Sequence, residues 1–527
     1  MPQWRAWRRG VGDWRVWVAR AVVISAAAAA GLVVVAFTWL GEQAFAHFSA
    51  LRARWIWAPL VWTPLATAAI VWCVRRVAAG AAGSGIPQVM AALDPTLTPA
   101  ERRRFVSLKL SLAKLAFTAW GLLGGLSLGR EGPSVQVAAG VMASMRHLLP
   151  RRSAVSERGL LVAGGAAGIA AAFNTPLAGV MFAIEELSRG PEERSSGLVV
   201  AAIVLAGLIA VSIDGNATYF GVIRVAEPSW ALLLPALAVA LVAGFAGGLF
   251  ARLLVVSLEG RGADRFSRLR ARRPVAFAAL CGAIVALIGI VSGGAVFGSG
   301  YAPTRALLEG GQSADALYPL LKFVATWLTA WSGVPGGIFA PSLSIGAALG
   351  HDIAMLSGHP DAPTLIALGM TGFLAAVTQA PLTAFIIVME MVSGHALVLT
   401  LMACALVASG VSRLLGPPLY WTLAQMQLAP PRETRLQEAP LAQTGAMPAD
   451  AAPLALVPSS GDGDAAGAAT PPAAQRPTVA GDDRSDAAAA RRTPPLIAAL
   501  LPLFARIDAA LRQPGGRKGT ERRRDDR

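Results

Sequence analysis

GREGP, Gly129 to Pro133, sets an arginine and a glutamate side by side at the end of an uncharged run that begins at Leu115. The stretch is glycine-rich and closes on proline, so it reads as the start of a helix. Glycine lets backbone come close to a neighbour, and proline suits the first helical turn because its missing N–H has no partner there anyway. Two further stretches share the design: GSGIP at Gly83 to Pro87 and GGIFAP at Gly336 to Pro341. Helix starts that meet inside a membrane hold an anion through exposed amides and the positive end of the dipole, without a full charge that would trap it. A carboxylate at that depth costs about 2.5–3.5 kcal/mol on insertion scales, so a role is expected of Glu131. Ionised, it competes for the anion's own place; protonated, it leaves, which makes it a candidate gate linked to protons. The plainer reading is a structural pair with Arg130 or Lys114.

Working outward, the chain is built for lipid. Its 527 residues are 55% hydrophobic and only 15% charged, with a mean hydropathy of +0.55. Uncharged runs fill the space between Arg54 and Arg75 and cover Ala21 to Gly41, Ala231 to Ala251, Pro274 to Thr304, Phe323 to His351 and Ala362 to Met389. About 20 such residues cross a bilayer. The longer runs, interrupted by Gly or Pro, are expected to hold two tilted or broken helices each. A formal charge of +15 does not point to nucleic acid, because the basic residues cluster between the apolar runs: Arg5 to Arg20, Arg102 to Arg104, Arg146 to Arg158, Arg261 to Arg273 and the last dozen residues. Such clusters mark the cytoplasmic side, which puts both termini there. The first apolar run follows five arginines and lacks a cleavage site, so it is expected to stay as a helix rather than be removed as a signal peptide.

Three segments follow. Residues 1–20 carry Trp4, Trp7, Trp14 and Trp17 on one side of a notional helix and Arg5, Arg8, Arg9 and Arg15 on the other, an interfacial amphipathic pattern weakened by Gly10 and Gly12. Residues 21–428 form the membrane body. Residues 429–527 turn to Ala, Pro, Gly, Asp and Ser with few large apolar residues and read as a low-complexity, mostly disordered cytoplasmic tail, with a short amphipathic helix at 496–511. Cys73, Cys281 and Cys404 lie singly in apolar segments as small core residues, and His47, His147, His351, His359 and His395 show no ligand spacing. No bound metal and no cofactor are expected.

The body is internally duplicated. AAFNTPLAGVMFAIEE (Ala171 to Glu186) matches AAVTQAPLTAFIIVMEM (Ala375 to Met391), with Pro176 on Pro381 and Glu185 on Glu390; Pro133 falls on Pro341 at nearly the same offset. Halves of roughly 80–215 and 275–425 follow, and duplicated transporter halves are often inverted, which brings equivalent broken helices together at the midplane. Glu185 and Glu186 end an apolar helix that begins near Leu160. Adjacent acids cannot both face inward on a helix, so one is expected to be structural and the other a proton entry post. Ser84 is by habit an N-cap whose hydroxyl serves equally to donate to an anion. Tyr420 reads first as a belt tyrosine at the lipid interface.

Together these motifs resemble the CLC family of chloride channels and proton-coupled anion antiporters, over roughly residues 75 to 425: GSGIP, GREGP, GIFAP, the NTPLAG to IEE stretch, TQAPLTA and GPPLY stand in family order. The resemblance implies an all-α polytopic membrane protein of CLC-like fold, with two inverted repeats whose broken helices meet at a midplane anion site, assembled as a homodimer in the cell inner membrane. It implies side-chain donation to the anion from Ser84 and Tyr420 and amide donation from Ile338 and Phe339. Glu131 is then the external gate and proton carrier, and Glu186 the internal proton-transfer acid. Gly83, Gly85, Ile86, Pro87, Gly129, Arg130, Gly132, Pro133, Gly337, Ala340 and Pro341 complete the motifs that shape the path, and Lys114 matches a lysine near it. Ser84, where nitrate exchangers of the family carry proline, favours chloride. The retained Glu186 favours chloride–proton exchange over the alternative, a passive voltage- or pH-gated channel of the same fold. Gln88 and Met90 replace acids common in bacterial relatives, and the tail lacks the paired cystathionine-beta-synthase domains of many members. An intramembrane serine hydrolase built on Ser84 and His395 is a poor rival, since Ala82 breaks the GxSG spacing.

Overall fold

The computed structural model describes residues 14–429 except 151–154, 189–196, 216–218, 222–229, 261–264 and 312–315. The chain divides into two units, Met1–Pro440 and Leu441–Arg527, and every described residue belongs to the first. The expected tail, its helix at 496–511, and Trp4, Trp7, Arg5, Arg8 and Arg9 lie outside the described residues.

What is described is helix and loop, joined by one isolated antiparallel bridge. We label the helices α1 (Trp14–Arg54), α2 (Ala58–Val77), α3 (Ile86–Ala92), α4 (Leu108–Leu123), α5 (Glu131–Ser144), α6 (Glu157–Phe173), α7 (Pro176–Phe182), α8 (Gly197–Asp214), α9 (Leu233–Glu259), α10 (Pro274–Val291), α11 (Tyr301–Leu308), α12 (Tyr318–Ser332), α13 (Phe339–Ser357), α14 (Ala362–Thr378), α15 (Pro381–Met391), α16 (Val398–Leu415) and α17 (Leu419–Leu428). Two short connecting helices, Pro99–Arg102 and Arg265–Arg272, complete them. Among the described residues six segments are long and apolar enough to cross a bilayer: α1, α2, α9 with its lead-in from Trp230, α10, α13 and α16 with its lead-in from His395. The protein is therefore a multi-pass membrane protein. Helix α1 runs unbroken across residue 20, with Trp14 and Trp17 exposed at its start.

The long uncharged runs divide as their Gly and Pro positions predict: Pro274 to Thr304 holds α10 and the start of α11, and Ala362 to Met389 holds α14 and most of α15. One expectation needs correcting. The helix read from Leu160 to Glu186 is two segments, because Asn174 adopts the left-handed conformation (φ 58°) ahead of Pro176 and ends α6. A proline disfavours helix for the residue before it and cannot donate to the preceding turn. After α7 the chain makes one π-helical turn, Ala183–Leu187, which carries both acids.

The duplication is visible in three dimensions. Gln379 ends α14 in the same left-handed conformation as Asn174 ends α6, the two lying 205 residues apart like Pro176 and Pro381. In each half a glycine-started helix packs backbone to backbone on a nearly all-buried partner, α5 on α6 and α13 on α14. At Gly168 an added Cβ would come within 2.5 Å of the Ser134 carbonyl oxygen, and at Gly346 it would collide with the carbonyl of Gly369. Small residues at such crossings are what lets helices associate without a hydrophobic driving force between them.

Candidate anion and proton site

Three loops meet at the centre of the described unit. The amide of Gly129 donates to the Gly337 carbonyl at 2.8 Å and the amide of Gly337 returns the bond to Gly129 at 2.7 Å, while the Gly336 amide donates to the Gly83 carbonyl at 3.1 Å. The three glycine-rich stretches are thus stitched directly to one another, as their shared design suggested. Each opens a helix: Gly85 precedes α3, Arg130 precedes α5 and Ile338 precedes α13. The first amides of these helices have no intrahelical acceptor, which concentrates partial positive charge where the loops join.

Ser84, Glu131 and Tyr420 converge on this point. The Ser84 hydroxyl lies against Gly132, where any Cβ would collide with it, and only a glycine admits the approach. The Tyr420 hydroxyl faces Ser84, and its ring stacks on Phe339 with centroids 5.9 Å apart. Tyr420 is 1% exposed, so it is an interior residue and the belt reading fails. The Glu131 side chain is fully buried and folds back over Gly129, with the amides of Arg130, Glu131 and Ala340 around its carboxylate. Beyond these neighbours, Ser84 Oγ, Tyr420 Oη and both carboxylate oxygens of Glu131 are buried with no further hydrogen-bond partner.

The plainer readings of the neighbours also resolve. Arg130 turns from Glu131 and donates through Nη1 to Glu42 at 2.9 Å and to the Thr38 carbonyl at 3.1 Å. Lys114 donates through Nζ to the carbonyls of Ala81 and Gly83, both at 2.7 Å. Neither is a salt-bridge partner for Glu131. Ser84 is not the N-cap of α3: Gly85 holds that position, and Gln88 in the first turn reaches back to it, its Oε1 accepting from the Gly85 amide at 2.9 Å and its Nε2 donating to the Ala82 carbonyl at 2.5 Å. That is what the glutamine at this place does, and it leaves the serine hydroxyl free of the cap. Met90 lines the cavity beside Glu186.

The adjacent acids part company. The Glu185 carboxylate accepts from the amides of Leu382 and Thr383 and so caps α15. Glu186 instead lines a cavity of about 260 Å³ with Asp94, Arg158, Trp421 and Gln425. Asp94, in the loop after α3, is held below the usual carboxylate range by hydrogen bonds from the hydroxyl and amide of Thr96. A second cavity, of about 450 Å³, holds Glu42, Arg52, Arg130, Tyr219 and Tyr301.

Sequence reading missed Lys322, which donates to the carbonyls of Val296 (2.9 Å) and Gly298 (2.8 Å) as Lys114 does to Ala81 and Gly83. The signal was present: Lys322 follows Lys114 by 208 residues, the spacing of Pro133 and Pro341, and its loop repeats GSG at Gly298 to Gly300. Among the described residues no three His, Cys, Asp or Glu side chains cluster as metal ligands.

The sequence model of the voltage-gated chloride channel family matches residues 66–413. The chain belongs to the CLC family. Among CLC relatives, an H(+)/Cl(-) exchange transporter, ClcA of Klebsiella pneumoniae subsp. pneumoniae, is 32% identical over 425 residues, covering 76% of this chain and 87% of its own. ClcA of Salmonella paratyphi A is 32% identical over 423 residues, with 76% and 86% covered. A solved CLC structure, that of a slow cyanobacterial Cl-/H+ antiporter, superposes with a TM-score of 0.67 at 25% identity over 78% of this chain and 98% of that one. A CLC-type fluoride/proton antiporter shares the fold at a TM-score of 0.63 and 21% identity, over 77% and 98%.

Proposed function

We propose that this chain is a secondary active transporter that exchanges chloride for protons. The observation that carries the reading is the meeting of two buried hydroxyls, Ser84 Oγ and Tyr420 Oη, with the buried Glu131 carboxylate where three helix starts are hydrogen-bonded to one another. Buried polar atoms nearly always have partners, and a dehydrated halide supplies one to the two hydroxyls and to the open amides of Ile338 and Phe339. The exchange transporters among its relatives support the same ion pair.

In this mechanism the ionised Glu131 carboxylate takes the anion's place among the amides and closes the path. Protonation removes its charge, the carboxyl swings off, and the halide occupies the ground it held. Glu186, in the cavity bordered by Asp94 and Trp421, passes protons between that face and Glu131. No bond is made or broken in the substrate and no cofactor takes part. The protein sits in the inner membrane with both ends in the cytoplasm, and pairs as a homodimer in which each subunit carries its own path. Leu177, Leu208, Leu382 and Leu406, exposed on α7, α8, α15 and α16, support an apolar face for that pairing.

The test is to drive chloride across proteoliposome membranes while recording external pH. Exchange moves protons uphill against their own gradient. A passive channel follows the chloride gradient and leaves pH unchanged, an outcome that would reject the proposal.

A further inference from the structure

The second cavity is not part of the central site. Ser84, Glu131 and Tyr420 are all absent from its wall, and it shares no lining residue with the Glu186 cavity. It is framed by two guanidinium groups brought from distant parts of the chain. Arg130 stands at the start of α5 with a side chain 11% exposed, and its Nε is buried without a hydrogen bond. Arg52 arrives from the end of α1, its Nη1 donating to the Gly293 carbonyl at 2.5 Å. The chain makes room for Arg52 at Gly294, which has a positive φ of 95° and where a Cβ would collide with the guanidinium.

Each guanidinium carries five donors in a fixed fork and stays charged at any working pH. Among the described residues Arg52 and Arg130 donate through Nη1 alone, so most of the donors remain for another acceptor. The opposing charge is a single carboxylate, Glu42, which is 61% exposed and already bound to Arg130, so the net charge of the wall is positive. The far wall is the second GSG loop, with Ser299 and Gly300 lining the space. It is the repeat counterpart of the loop that brings Ser84 to the central site. At ~30 Å³ per water, a volume of about 450 Å³ takes a hydrated monovalent anion without stripping it.

We propose that Arg52 and Arg130, with Ser299 opposite, form an outer station that captures a hydrated monovalent anion, chloride or bromide, before it is dehydrated at the central site. Glu42 tunes the station by occupying one face of the Arg130 fork. Capture of this kind raises the local anion concentration and speeds entry. The inference rests on the anion-transport reading, and its test separates the two.

Crystals of the full chain grown in bromide are examined by anomalous diffraction, beside flux measurements in proteoliposomes. The expected result is a bromide peak between Arg52 and Arg130 in addition to one at Ser84 and Tyr420. Arg52→Gln loses the outer peak and keeps the central one. Its flux shows an apparent KM for anion on the Glu42 face raised roughly five- to tenfold, with the proton coupling ratio and the KM on the Glu186 face unchanged. Arg52→Lys restores part of the KM, and Glu42→Gln lowers it. A central peak with no outer peak, or an outer peak that survives Arg52→Gln, overturns this inference alone. Loss of both peaks in the unaltered protein overturns the transport reading with it.

Discussion

Glu185 and Glu390 cap each other's helices. The Glu185 carboxylate accepts from the amides of Leu382 (3.1 Å) and Thr383 (2.7 Å) at the start of α15, and Glu390 accepts from Leu177 (3.1 Å) and Ala178 (2.7 Å) at the start of α7. Each acid stands at the C-terminal end of one helix and reaches the N-terminal end of the other, so α7 and α15 lie antiparallel and the two halves are related as a two-fold axis would relate them. Charge at a helix start gains from both the dipole and the open amides.

That reciprocity separates Glu185 from its neighbour. Glu185→Gln keeps the shape but loses the charge, and is expected to cost about 1–2 kcal/mol as a capping change, seen as a lower melting temperature in detergent, while proton coupling stays intact. Glu186→Gln is expected to do the opposite: unchanged melting, sustained chloride flux and no uphill proton movement. Coupling that survives Glu186→Gln would remove that residue from the proton route.

Much of this arrangement was legible in the chain because it depends on local chemistry. The three Gly-to-Pro stretches announce helix starts, and the 205-residue spacing of Pro176 and Pro381 announces duplication. Which acid of the adjacent pair turns to a helix end was not legible from the residues themselves and came only from the family resemblance, since it depends on a π-helical turn set by packing. Taken alone Tyr420 read as a belt residue, and only the family resemblance pointed it inward, because nothing in its own neighbourhood says that α17 packs on α3. Glu42 carried no signal, being one polar residue near the end of a long apolar helix; only the fold brings Arg130 to it, 88 residues along.

Gly132 is expected to tolerate no side chain. In Gly132→Ala the added methyl collides with the Ser84 hydroxyl and displaces it from its position opposite Tyr420. A hydrogen bond to an ion contributes about 1.5–3 kcal/mol, so halide affinity measured by calorimetry should fall roughly ten- to a hundredfold. Ser84→Ala alone should reproduce most of that loss, and the double variant should add little. Additive losses would mean that the methyl acts elsewhere.

Glu131→Ala removes the competitor for the central position. Chloride flux should continue, lose its dependence on pH across the working range, and carry no protons. Glu131→Gln mimics the protonated side chain and should give the same pH-independent, uncoupled flux. Flux that keeps its pH dependence in both variants would assign the gate to another group.

The paired buried lysines supply a control built into the fold. Lys114 Nζ holds the carbonyls of Ala81 and Gly83, and the Gly83 carbonyl in turn accepts from the Gly336 amide. The amine therefore links the first glycine loop to the third. Lys322 makes the same two-carbonyl contact with Val296 and Gly298, but its loop walls the outer cavity. Replacing either lysine with methionine removes two hydrogen bonds to buried carbonyls, at about 1–3 kcal/mol apiece, so both variants should melt earlier by comparable amounts. Lys114→Met should also weaken central halide binding, because the loop that positions Ser84 loses its anchor. Lys322→Met should leave that binding near the unaltered value. Thermal denaturation followed by bromide calorimetry on both variants checks the pair: equal melting loss with unequal affinity loss supports a positioning role for Lys114, whereas equal losses in both would reduce it to general packing.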